Sequence, residues 1–229
     1  MLNDYFSDIT QTIFDTNGTL IKYIGDAVFA IYGAPLRMED HATRACRAAV
    51  AMARMHETLG DRWAGRLATR IGIHTGPMLV GNLGSAQRFD YTAIGDTVNL
   101  AARLESLNKS TGTRALISGE TLEQTDGNLV VRSLGRVRVV GRGEPVALYE
   151  LVGLKGETTR PDLETIERFE RAVEDFTARR FTEATAKFRD IREQLGTDGP
   201  CQLYLDTISQ LESDPPEQDW DGVINFTKK

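Results

Sequence analysis

The chain has 229 residues, enough for one good-sized core or for one domain with an appendage. Its 27 basic and 33 acidic side chains leave a net charge of −6, which argues against a dedicated nucleic-acid binder. Cys46 and Cys201 form no disulfide framework or zinc pattern, the apolar run 27–36 is too short to cross a bilayer, and residues 1–10 hold no basic residue of a signal peptide; a soluble, cytoplasmic chain without a membrane segment is expected.

Leu2, Phe6, Ile9, Ile13 and Phe14 fall at helical spacing, so residues 2–15 are predicted to be an amphipathic helix ended by Asn17-Gly18. Residues 19–24 and 27–32 are predicted strands joined by a tight Gly25-Asp26 turn. A long helix over 39–59 carries a stripe of Ala42, Ala45, Cys46, Ala49, Met52, Ala53 and His56 and is stopped by Gly60. Strands follow over 67–73 and 78–83, then a polar loop to Phe89 and a short strand end at Tyr91. A helix is predicted over 96–109, ending near Gly112. Then come a strand at 114–117, a short helix at 118–125 and three strands at 129–134, 137–140 and 146–152, with residues 141–145 as the last turn. Helices packed on a mostly antiparallel sheet make this an α+β sandwich.

After Gly156 the pattern becomes helical. Residues 162–180 and 182–195 pair Phe169, Ala172, Val173 and Phe176 with Phe181, Ala184 and Phe188, which resembles one TPR-like helical hairpin. A third helix over 200–212 precedes Pro215-Pro216, and an irregular tail follows with Trp220 as its expected anchor. One such repeat cannot bury its own apolar face, so it is expected to dock on the main body or on a protein partner. The expected organisation is a body over 1–156 and a helical tail over 160–229.

Two places carry chemistry. Asn99 and Arg103 lie at i and i+4, so one helix face offers an amide and a fixed cation. That pair suits a phosphate, but spacing alone favours a solvated helix face. Asp26 at a Gly-Asp turn and Lys22 four residues earlier are each explained as easily by turn chemistry or a solvated strand. His41, His56 and His74 lack ligand-like spacing and are expected to be structural or surface residues.

The combination is more specific. Lys22-x-x-Gly-Asp26, Gly72-Ile73-His74-Thr75-Gly76 and Tyr91-Thr92-x-x-Gly95-x-Thr97-Val98-Asn99-x-Ala101-Ala102-Arg103 occur in this order, each at a strand–turn–helix context. Together they resemble the catalytic domain of class III nucleotidyl cyclases, from Leu2 to about Gly153. The resemblance implies a ferredoxin-like cyclase sandwich. It also implies attack of a ribose 3′-hydroxyl on the α-phosphate of a nucleoside triphosphate, with two Mg²⁺ (or Mn²⁺) ions. By position, Asp26 matches a metal aspartate, Asn99 the ribose-positioning residue and Arg103 the residue that stabilises the pentavalent phosphoryl group. Arg142 matches a basic residue for the triphosphate tail, where the family usually has lysine. Lys22 donates only, which suits adenine N1, and the Thr92 hydroxyl can accept from the 6-amino group. This favours ATP over GTP. The family works as a homodimer with sites at the interface.

One departure is visible. The family's first strand, with its other metal aspartate, lies upstream of the helix that begins here at Leu2. Phe6-Ser7-Asp8-Ile9 is no substitute, because Leu2 to Phe6 already fits the family's first helix. A fragment, a mis-assigned start and a shortened inactive cyclase all remain open. Little cyclase activity of this polypeptide alone is expected, together with a sheet edge or gap.

Overall fold

The computed structural model describes residues 2–58, 69–139 and 141–226. Its elements are α1 (Leu2–Asp15), β1 (Thr19–Ile24), β2 (Ala27–Ile31), α2 (His41–Thr58), β3 (Ile71–Ile73), β4 (Leu79–Gly84), β5 (Phe89–Ile94), α3 (Asp96–Thr111), β6 (Ala115–Ser118), α4 (Gly119–Leu122), β7 (Leu129–Arg138), β8 (Val146–Leu154), α5 (Leu163–Thr177), α6 (Phe181–Leu195), α7 (Gly199–Ser213) and β9 (Ile224–Asn225). No described helix is long and apolar enough to cross a membrane.

A five-stranded sheet of order β3-β6-β8-β7-β9 forms the centre. β6 runs parallel to β3 and antiparallel to β8, which is antiparallel to β7. Strand alternation sends neighbouring residues to opposite faces. Ala115, Ile117 and Leu151 pack with Cys46, Ala49 and Val50 of α2 on one face. On the other, Leu116 and Leu148 pack with Leu100 and Leu104 of α3 and with Phe169, Phe176 and Phe188 of the C-terminal helices. The helical hairpin therefore buries its apolar stripe on the sheet, and the shared core crosses the composition change near Gly156. Arg132 adds a polar tie: its guanidinium, 1% exposed, contacts Glu150 at 2.6 Å and Asp198 at 2.8 Å and lies 4.7 Å from the Phe169 ring centroid.

The strand pairs β1–β2 and β4–β5 form separate two-stranded sheets. Ile9 and Ile13 of α1 pack on Ala48 and Met52 of α2 beside β1–β2. Leu2 and Phe14, expected on the same buried stripe, are 41% and 53% exposed, because the hairpin covers only the middle of α1. A cavity of about 1060 Å³ lies between this hairpin and β3, lined among others by Ile9, Ile31, Met52, Ile71 and Ile73.

Some boundaries differ from expectation. The strands predicted at 129–134 and 137–140 are one strand, β7, with an irregular register between Ser133 and Arg136. Gly135, at φ 73°, absorbs the extra residue, and a bulge keeps the ladder intact on either side. β3 begins at Ile71; Gly60, Leu67 and Val140, which entered the predicted boundaries, lie outside the described residues. The tail beyond 214 contributes β9, paired in parallel with β7.

Candidate active site

The position of α3 is decided by small residues. A Cβ on Gly72 would stand 2.2 Å from the Glu105 nitrogen and 2.3 Å from the Ala101 oxygen, so only glycine lets the helix backbone rest on β3. Asn108 Nδ2 donates to the Ile71 carbonyl at 3.0 Å, and Thr97 Oγ1 donates to the Pro77 carbonyl at 2.6 Å. With Leu100, Leu104 and Leu107 facing the core, Asn99 and Arg103 are left on the outer side, Asn99 exposed and Arg103 half-buried.

Arg103 reaches the turn between β7 and β8. Gly141 has φ 76°, and a Cβ there would come within 3.2 Å of Arg103 Nη2. Arg142 is the next residue along that turn. Nη1 of Arg103 and Nη1 of Arg142 are buried without a hydrogen-bond partner among the described residues. Buried, unmet charged donors are costly, and a multivalent oxyanion satisfies both.

His74 belongs to the same neighbourhood. Its Nδ1 is 2.8 Å from Ser118 Oγ, and it lies 3.9 Å from Glu120. Burial lowers its pKa from the usual 6.5, aided by Arg142 and opposed by Glu120 and Asp96. The imidazole is therefore neutral near pH 7. It is a buried network residue; its isolation in sequence gave no clue to Ser118, which joins it through the β3–β6 pairing.

The hairpin residues form a second group. Lys22 in β1 and Asp26 at the tip are exposed. Thr92 is 8% exposed and pairs with Gly81 across the β4–β5 ladder. Asp26 lines the large cavity with His74, Thr75, Gly76, Val98, Ala101 and Ala102; Arg103 and Arg142 do not line it. Within one chain, Asp26 and the paired arginines thus address different sides of α3. No group of three or more His, Cys, Asp or Glu side chains suited to a metal ion forms among the described residues. Asp26 therefore fits a hard divalent cation only as one ligand beside others, such as phosphate oxygens, and not as a two-metal centre.

Residues 1–153 match the family described as the adenylate and guanylate cyclase catalytic domain. Adenylate cyclase 1 of Rhizobium meliloti is 40% identical over 158 residues, covering 67% of this chain and 24% of that protein. The terminal-differentiation-specific adenylate cyclase of Dictyostelium discoideum is 31% identical over 216 residues, covering 91% of this chain and 10% of that protein. The chain thus spans a quarter or less of these curated relatives. Among solved structures, the adenylyl cyclase CyaB from P. aeruginosa aligns with a TM-score of 0.60 at 32% identity, over 69% of this chain and 83% of that one.

Proposed function

The chain belongs to the family of adenylate and guanylate cyclase catalytic domains, and from that premise we propose that it binds ATP and forms 3′,5′-cyclic AMP and pyrophosphate in the cytoplasm. The observation that carries this reading is that Nη1 of Arg103 and Nη1 of Arg142 are buried without a hydrogen-bond partner among the described residues, with Arg103 reaching the turn that holds Arg142. Such donors match a triphosphate and the charge that develops on its α-phosphoryl group. Arg103 stabilises that charge as the 3′-hydroxyl attacks and pyrophosphate leaves. Arg142 holds the departing phosphates. Asn99, one helical turn before Arg103, positions the ribose. Lys22 donates to adenine N1, and Thr92 accepts from the 6-amino group.

Because Asp26 and Arg103 face different sides of α3, two copies of the chain complete a site, with Asp26 of one copy meeting Arg103 of the other. Mg²⁺ or Mn²⁺ supplies phosphate neutralisation and activation of the hydroxyl when bound, and Asp26 is the residue that would hold it. Among the described residues Asp26 belongs to no group of three or more side chains suited to a metal ion, which favours a second reading, a nucleotide-binding and dimerising module without turnover. Calorimetry with ATP and GTP, followed by chromatographic detection of cyclic product, tests both. ATP binding with cyclic AMP formation supports the cyclase. ATP binding without product supports the second reading. Binding of neither nucleotide, or preference for GTP, overturns the ATP assignment.

A further inference from the structure

Residues 220–226 run to and along the end of the strand that leads to Arg142. Trp220 is packed against Phe176 and Phe181, with ring centroids 5.2 and 6.0 Å away, and the Arg179 guanidinium lies 5.6 Å from its ring. Val223 and Ile224 are buried at 2% and 6% exposure. β9 then pairs with β7, Val137 opposite Ile224 and Arg138 opposite Asn225. The Phe226 nitrogen donates to the Arg138 carbonyl at 3.0 Å. Residues 220–226 are thus a strap seated at one end by aromatic packing and at the other by backbone pairing.

Arg138 joins this strap to the turn. Its Nη1 donates to Asn225 Oδ1 at 2.7 Å and its Nη2 to Asp221 Oδ2 at 3.3 Å. Its Nε donates to the Gly143 carbonyl at 3.2 Å. The Arg142 nitrogen donates to the Val139 carbonyl at 3.1 Å. The turn that presents Arg142 is therefore held from within by Val139 and from outside by Arg138. A planar guanidinium is suited to this: its donors leave in fixed directions, so the strap and the Gly143 carbonyl are set relative to each other.

We propose that Arg138 is a positioning residue that couples the C-terminal strap to the Arg142 turn, so that the strap sets the affinity for the triphosphate arm of the nucleotide. This rests on the assignment of Arg142 to the triphosphate. A surface ion pair explains the same contacts at first sight. Arg138 and Asp221 are 37% and 48% exposed, and such pairs contribute little to stability. The two explanations part company in binding. A surface pair leaves phosphate affinity alone; a positioning contact changes it while stability stays near wild type.

The experiment uses the full chain, with ATP and inorganic tripolyphosphate as calorimetric probes and thermal unfolding as control. Arg138→Ala is expected to weaken both probes roughly 3- to 10-fold, the size of one or two lost hydrogen bonds, with little change in Tm. Asn225→Ala, which leaves the Arg138 charge in place, weakens them in the same direction. Arg138→Lys stays impaired, because it keeps the charge and loses the fork; full recovery by lysine would mean simple charge attraction and overturn the proposal. In the Arg142→Ala background, Arg138→Ala adds nothing, as expected for residues acting through one contact. Additive losses there, or unchanged affinity in both Arg138→Ala and Asn225→Ala, overturn the coupling alone. Failure of the wild type to bind either probe overturns the triphosphate assignment and the coupling with it.

Discussion

The turn that carries Arg142 and the hairpin tip that carries Asp26 are built on different foundations. Behind Arg142 stands a continuous core in which α3, the sheet and three C-terminal helices share fully buried Leu100, Leu116, Phe169, Phe176 and Phe188. The Arg132–Glu150–Asp198 contacts lock the tail onto that core. Behind Asp26 stands a small cluster of Ile9, Ile13, Ala48 and Met52, bordered by the large cavity. The arginines are therefore presented on the firmly packed side and the carboxylate on the loosely packed one. On the proposed triphosphate role, the arginines gain from this rigid support, because the phosphates must be met in a set geometry.

Breaking the tail-side lock gives the largest expected effect. Arg132→Ala leaves two partly buried carboxylates without their buried cation and is expected to cost about 3–5 kcal/mol in denaturant unfolding. Asp198 is also the N-cap of α7, accepting from the Cys201 nitrogen at 2.8 Å, so Asp198→Ala loses a helix cap as well. Truncations on the two sides test the contrast directly. Phe176→Ala should cost about 3–5 kcal/mol and Ile13→Ala only about 2 kcal/mol, because Ile13 already borders open space. Equal costs would remove the distinction between the two sides.

Function sharpens the same contrast. Arg103→Ala removes charge-assisted hydrogen bonds and should lower ATP affinity or turnover roughly 10- to 100-fold with the fold intact. The smallest effect is a pH dependence. His74 has its pKa held below 6.5 in the folded chain, mainly by burial. Its contribution to stability is complete above the unfolded value and is lost as pH falls through and below 6.5, because the unfolded chain then binds the extra proton. The slope should be at most about 1.4 kcal/mol per pH unit and should vanish in His74→Gln.

The local elements were largely legible. Apolar spacing located α1, α2 and the C-terminal helices, and Gly-Asp marked the first hairpin, because periodicity and turn chemistry are local properties. The ordered motifs around Lys22, Asp26, Gly72 and Asn99 are enough in sequence alone to point to the family. Arg138 was not legible, since an arginine at a strand end looks like any solvated residue until Asp221 and Asn225 arrive from more than eighty positions away. The same holds for Ser118 beside His74 and for Asp198 beside Arg132.

The opposite fates of Gly72 and Arg142 mark the division. By itself the sequence determined where most helices and strands lie and which residues carry the motifs that resemble the cyclase family, Gly72 among them. Only the tertiary structure decided that α3 rests its backbone on Gly72, that Arg103 reaches the Arg142 turn with donors unmet among the described residues, and that residues 224–225 pair with the strand leading to that turn. The reason is physical. Propensity and periodicity act over a few residues, whereas desolvation and hydrogen-bond satisfaction are decided by whatever the whole chain brings alongside.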